Sequence, residues 1–301
     1  MKLNILGCYS AVPRKKTNPT AQVLEIKNHV FLIDCGEGTQ VQLRRHKIKF
    51  NRIKHIFISH LHGDHYFGLI GLISTFRLLT RDTELHVYGP KGLKEVITLQ
   101  LKLSDSWTNF PLIFHELESK TSEVIFEDES VKVSTIPLDH RVYCNGFLFQ
   151  EKLGERQLNM NAVLNANIHQ SYYRKLKQGA DVVNEHGDLV RNAEVTKEPK
   201  PAKSYAFCSD TAYKEGIVPL ISGVTALYHE STFLDKNAAL CETTKHSTAK
   251  QAAAIASMAE VGTLILGHYS TRYDNIEVFR QEAQEIFAYV ELADDGKVIE
   301  F

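Results

Sequence analysis

Three histidines and a carboxylate fall within the six residues His60-Leu61-His62-Gly63-Asp64-His65, which Ser59 joins to the apolar run Ile56-Phe57-Ile58. An apolar, β-branched run followed by a polar turn reads as a strand that ends in a loop. Side chains on such a loop can converge on one point. Neutral imidazoles and a carboxylate are ligands suited to zinc, manganese or iron. The spacing is too dense for a single ion. His60 and His62 alternate and can grip one metal, while Asp64 and His65 are adjacent and can grip a second.

Composition excludes some alternatives. The 301 residues are 43% hydrophobic and 24% charged, which is ordinary for a globular chain. A formal net charge of -1 gives no global signal for nucleic acid, so any basic surface must be local. The five cysteines (Cys8, Cys35, Cys144, Cys208 and Cys241) are scattered, with no Cys-x-x-Cys pair. They read as reduced thiols of a cytoplasmic protein rather than as a disulfide framework or a zinc knuckle. No segment has the length of a membrane span, and the N-terminal apolar run is too short for a signal peptide.

Residues 3–6, 21–26 and 30–33 read as strands. The turn Asp34-Cys35-Gly36-Glu37-Gly38 then leads to a helix ending near Arg45. Residues 66–79 read as a buried helix after the histidine loop, and 93–101 as another. Further strands are expected at 85–88, 113–114, 124–126, 131–136, 147–149, 205–208, 226–228 and 263–266. Thr248 and Gln251 fit a capping box for a helix reaching about Ala259. Strands with interspersed helices, repeated loosely in the second half, predict two sheets packed face to face with helices outside, an αββα sandwich. The polar segment 151–203 differs: it carries Arg174, Lys175 and Lys177 and offers little core. It reads as a protruding arm inserted into a single domain that spans 1–301.

Two metals need more ligands than the first loop supplies. His140, Asp210 and His268 each follow an expected strand, and strand ends on one edge of a sandwich converge. Asp210 is the choice for an aspartate bridging two ions. His246 lies at a helix N-terminus, where it could contact a phosphate or donate a proton. His229 reads as a capping or supporting residue.

These residues resemble the metallo-β-lactamase superfamily through His60-x-His62-x-Asp64-His65, His140, Asp210 and His268. Within it the chain resembles the ribonuclease Z family of tRNA 3′-processing endonucleases. Asp34-Cys35-Gly36-Glu37-Gly38-Thr39-Gln40, Tyr88-Gly89-Pro90-Lys91-Gly92, Ser209-Asp210-Thr211, His229-Glu230-Ser231-Thr232, His246-Ser247-Thr248 and His268-Tyr269-Ser270-Thr271-Arg272-Tyr273 follow the family in order. Lys175-Leu176-Lys177-Gln178-Gly179 matches its arm, with Gln170-Ser171 where the family has Gly-Pro. Pro13-Arg14-Lys15-Lys16-Thr17-Asn18 resembles a loop that senses the tRNA end, with Thr17 replacing an arginine.

The resemblance implies a metallo-β-lactamase sandwich with two Zn2+ per subunit on His60, His62, Asp64, His65, His140, Asp210 and His268. It implies that Asp64 and His246 are catalytic. It also implies substrate contacts at Lys15, Asn18, Arg174, Lys175, Lys177, His229, Glu230, Thr232 and Arg272, a precursor tRNA substrate, and a homodimer with no membrane association. Two rivals remain: a small-molecule hydrolase of the same superfamily, which has no use for a basic arm, and a nucleic-acid-binding protein with a dead metal site.

Overall fold

A strand such as His29–Ile33, with Val30 and Leu32 on one face and Phe31 and Ile33 on the other, is apolar on both faces and needs a packed layer on each side. The computed structural model describes residues 1–301 and supplies those layers. The chain divides into two units, residues 1–127, 131–150 and 203–301 in one, and residues 128–130 and 151–202 in the other.

The first unit holds two seven-stranded sheets. One runs in the order Val298–Glu300, Lys2–Gly7, Ala21–Ile26, His29–Ile33, Ile53–Phe57, Leu85–Pro90, Leu112–Leu117. The other runs Val290–Leu292, Thr263–Gly267, Ala226–Glu230, Ser204–Cys208, Asn145–Glu151, Val131–Pro137, Val124–Glu127. Alternation along each strand sorts the layers. Phe31, Ile33 and Phe57 join the core shared with Phe147, Phe149 and Tyr205 of the second sheet. Rings of Phe57 and Phe147 lie 5.4 Å apart, and those of Phe31 and Phe149 lie 5.6 Å apart. Val30, Leu32 and Ile56 point the other way, onto Leu43, Leu72, Ile73 and Ile97 of the helices Thr39–Arg45, Gly68–Leu78 and Leu93–Leu103. Ala252, Ile255 and Ala256 of the helix Ala249–Met258 pack with the second sheet's core. This is the αββα arrangement expected from the sequence.

Three expectations change. A helical turn starts at Gly63, not Tyr66, so Asp64 and His65 sit on helix rather than loop. His62 in extended conformation caps that turn, and Asp64 in its first turn suits the helix dipole. The edge strands Val290–Leu292 and Val298–Glu300 escaped notice because three residues carry no readable period. Polar Lys54 and His55 likewise hid the first half of Ile53–Phe57.

In the second unit, residues 151–202 form a small core of Val163, Ile168, Leu176, Val182, Val190 and Val195. The expectation of little core therefore understated this segment. Its apolar residues are spread singly among polar ones and meet only through short elements. Those elements are the pairs Gln157–Leu158 with Thr196–Lys197 and Val182–Val183 with Leu189–Val190, and the helices Met160–Asn165 and Tyr173–Lys177. Asn192 ties them together by donating to the Leu176 and Ala180 carbonyls at 2.7 and 3.0 Å. Arg174, Lys175 and Lys177 are exposed around buried Leu176.

A second histidine group crosses the first sheet, with His55 registered opposite Phe31 and His86. His55 Nδ1 is buried without a partner. Burial, aided by the nearby His86, His29, His115 and Lys54, pushes its pKa down to about 3. An unfolded chain binds this proton near pH 6.5 while the folded one refuses it. The stability His55 contributes is therefore complete above pH about 6.5 and is lost progressively as pH falls toward about 3. His55→Phe, which keeps an aromatic ring against Phe126, is expected to flatten the fall of the thermal midpoint over that window. An unchanged acid limb would refute the assignment.

Candidate metal centre and active site

Parallel pairing brings the C-terminal ends of Ser204–Cys208, Ala226–Glu230 and Thr263–Gly267 together, and those of His29–Ile33 and Ile53–Phe57 likewise. Ligand sites in α/β sheets collect at such ends. Asp34, Ser59, Asp210 and His268 each lie within two residues of one of these ends. Close backbone approach fixes the first loop. A Cβ on Gly68 would stand 2.0 Å from the Gly36 carbonyl oxygen, so the helix Gly68–Leu78 can dock on the Asp34 turn only without a side chain there.

All seven residues expected to hold metal fall into two overlapping groups. The His60 and His140 Nε2 atoms lie 3.0 and 3.1 Å from His62 Nδ1, and 3.6 and 3.9 Å from Asp210 Oδ2. On the other side, His65 and His268 Nε2 lie 3.4 and 3.2 Å from Asp210 Oδ1, and 3.4 and 3.5 Å from Asp64 Oδ2. Ligands at 2.0–2.1 Å from a tetrahedral ion are separated by about 3.3 Å, so both groups have the spacing a zinc ion needs. Asp210 turns one oxygen to each group.

The second ring nitrogens of His65, His60, His140 and His268 are spoken for. Asp34, fully buried, accepts from His65 Nδ1 at 2.7 Å and from the Ser59 backbone N–H and hydroxyl at 2.7 and 2.8 Å. His60 Nδ1 donates to Ser59 Oγ at 3.0 Å, and His140 Nδ1 to the Lys245 carbonyl at 2.9 Å. His268 Nδ1 donates to Thr232 Oγ1 at 2.9 Å, which in turn donates to Glu230. Each bond fixes the tautomer that leaves Nε2 lone pairs facing the centre. His65 Nε2, buried, has no hydrogen-bond partner. Donor chemistry, spacing and this orphaned nitrogen all fit a cation.

Electrostatics agree. Burial lowers the pKa of His60, His62 and His140, keeping them in the neutral ligand form. Burial alone would raise the Asp210 carboxyl, yet His268, His65 and His60 hold it well below the usual range. Burial opposes charge on His65, but Asp210, Asp64 and Asp34 outweigh it and push its pKa up. A positive charge belongs at this point, and a metal ion would displace that proton.

His246 adjoins the second group and lines a cavity of about 410 Å3 with His62, Asp64, Asp210, Thr232 and His268. Its Nδ1 lies 2.7 Å from the Glu230 carboxylate, which leaves Nε2 for the cavity. Burial works against its charge, but Glu230 dominates and lifts the pKa to about 9. The helix cap itself is Thr248, in the expected capping box with Gln251. Glu230, not the helix end, therefore governs His246.

The residues expected to touch substrate divide. Thr232 lines the cavity, and Lys15 and Arg272 are exposed. Asn18 gives its Nδ2 to Asp295 at 2.7 Å. Two of these residues are enclosed. His229 is fully buried, with Nδ1 on the Glu230 carbonyl, and Glu230 is fully buried between Thr211, Thr232 and His246. Their side chains support neighbouring residues of the site rather than line the cavity. The sequence reading also missed Asp34, Ser59 and Lys245 as supports. Only the position of Asp34 at a strand end signalled its role.

Two sheets between helices, with a histidine and aspartate centre at the strand ends, define a metallo-β-lactamase fold. The same fold occurs in the protein YhfI from Bacillus subtilis (16% identity, TM-score 0.69, 99% and 98% of the two chains). The crystal structure of human tRNase Z, short form, matches at TM-score 0.73 and 27% identity over 100% of this chain and 99% of that one. Ribonuclease Z from Cytophaga hutchinsonii is 49% identical over 98% of this chain and 94% of its own. Residues 1–172 also match the family described as Anti-Pycsar protein Apyc1, a match that ends before Asp210, His246 and His268. The chain belongs to the ribonuclease Z family.

Proposed function

We propose that the protein is a zinc phosphodiesterase that removes the 3′ trailer from precursor tRNA, cutting 3′ of the discriminator base. The observation that carries this reading is the divided carboxylate of Asp210 with His246 beside it, in a chain of this family. His60, His62, His140 and Asp210 would hold one zinc ion and Asp64, His65, His268 and Asp210 a second, and such ions would supply Lewis-acid stabilisation of the phosphate charge and a more acidic water. Asp64 orients the attacking water and takes its proton as oxygen adds to phosphorus. His246 donates its Nε2 proton to the departing 3′ oxygen as the P–O3′ bond breaks. The products are a tRNA 3′-hydroxyl and a trailer with a 5′-phosphate. Mapping the cut and its end groups on a precursor tRNA tests the reading; cleavage elsewhere, or none, would sink it.

The exposed Arg174, Lys175 and Lys177 then serve as tRNA phosphate contacts, with the protein acting as a cytoplasmic homodimer. Five buried free thiols suit a reducing compartment, and no helix is long and apolar enough to cross a membrane. Changing all three cations to alanine spares Leu176 and the small core. The KM for precursor tRNA should rise, and the salt slope of binding should fall by about 0.9 per contact if the duplex value applies. Hydrolysis of bis(p-nitrophenyl) phosphate should persist. Equal loss of both activities would make the cluster structural, and unchanged tRNA cleavage would remove it from the interface.

A further inference from the structure

A second cavity, of about 290 Å3, adjoins the catalytic one: Ser10, Ala11, Gly63 and Asp64 line both. Its wall includes Phe67, which is 54% exposed at the junction between the helical turn Gly63–Tyr66 and the helix Gly68–Leu78. The helix that follows buries Leu69, Leu72, Ile73 and Phe76, whereas the Phe67 ring before it faces outward along the cavity. Phe67 follows Asp64 by three residues, so the two share one face of the helical turn. The ring is also held in place. A Cβ on Gly63 would stand 2.2 Å from its Cε2, so the ring lies directly over the Gly63 backbone, and Tyr66 meets it edge-on at 5.0 Å.

A fixed aromatic ring with an open face, one step from the carboxylate that handles the attacking water, is a stacking platform for a planar group. Resting on the proposed function, we infer that Phe67 stacks one of the two nucleobases joined by the scissile phosphate and that the smaller cavity is its subsite. Stacking positions the phosphate over Asp64 without reading sequence, because every base has a π-face. Phe67 is thus a positioning residue and takes no part in proton transfer.

The test uses the zinc-loaded protein and precursor tRNA carrying 2-aminopurine either at the discriminator position or at the first trailer nucleotide. Stopped-flow fluorescence reads binding before cleavage. The unaltered protein is expected to quench the probe at one of the two positions. Phe67→Ala should abolish that quench and raise KM by roughly 5- to 150-fold, the range of one stacked base, with zinc content unchanged. Phe67→Trp should restore both. Binding and cleavage without quenching at either position would overturn the inference alone. Absence of any precursor binding would overturn the proposed function and this inference together. A Phe67→Ala protein that sediments differently but still quenches would assign the ring to a protein contact and also overturn it.

Discussion

Asp210→Ala is expected to purify with neither ion, and the unaltered protein with close to two zinc equivalents. Its two oxygens face different ligand groups, Oδ2 toward His60 and His140 and Oδ1 toward His65 and His268. Alanine therefore subtracts one ligand from both groups at once and leaves five imidazoles around a single carboxylate. Cleavage should fall by roughly 10³-fold or more, since both Lewis-acid and water-activating roles go together. Asp34→Asn offers a graded comparison. It weakens the orientation of His65 without removing a ligand, and changes of this kind cost about 10- to 100-fold in metal affinity. Elemental analysis of the two variants, with circular dichroism to confirm folding, decides the matter. Two ions retained in Asp210→Ala would reject the bridge.

His246→Ala is expected to lose turnover by about 10²- to 10⁴-fold, the usual worth of a positioned proton donor, while keeping its zinc. His60, His62, His140, Asp64, His65 and His268 can complete both groups with Asp210 and do not need His246. The imidazole is instead charged through Glu230, 2.7 Å from Nδ1, and presents Nε2 to the cavity. Glu230→Gln should therefore lower turnover in the same direction, because it removes the charge that holds the proton on His246. Single-turnover cleavage beside metal analysis separates the cases. Loss of zinc from His246→Ala would move that residue into the metal centre and leave the leaving oxygen without a donor.

Local sequence decided where chemistry could occur. His60, His62, Asp64 and His65 stand within one short loop, and His140, Asp210 and His268 each follow an apolar run. Strand-end placement is a local property, so residues that can converge are visible without the fold. Periodicity likewise exposed the long strands and helices, and Thr248 with Gln251 announced a helix start. The shortest strands and the small core around Leu176 were hidden, because isolated apolar residues have no period and acquire a partner only on folding. The fold alone could pair His65 with Asp34 across 31 residues and His246 with Glu230 across 16. It alone divided the Asp210 carboxylate between two groups, sealed His229 away from solvent, and laid the Phe67 ring on Gly63. Those outcomes depend on distances set by sheet pairing and backbone approach, and a linear chain records which donors it carries but not which of their atoms will face each other.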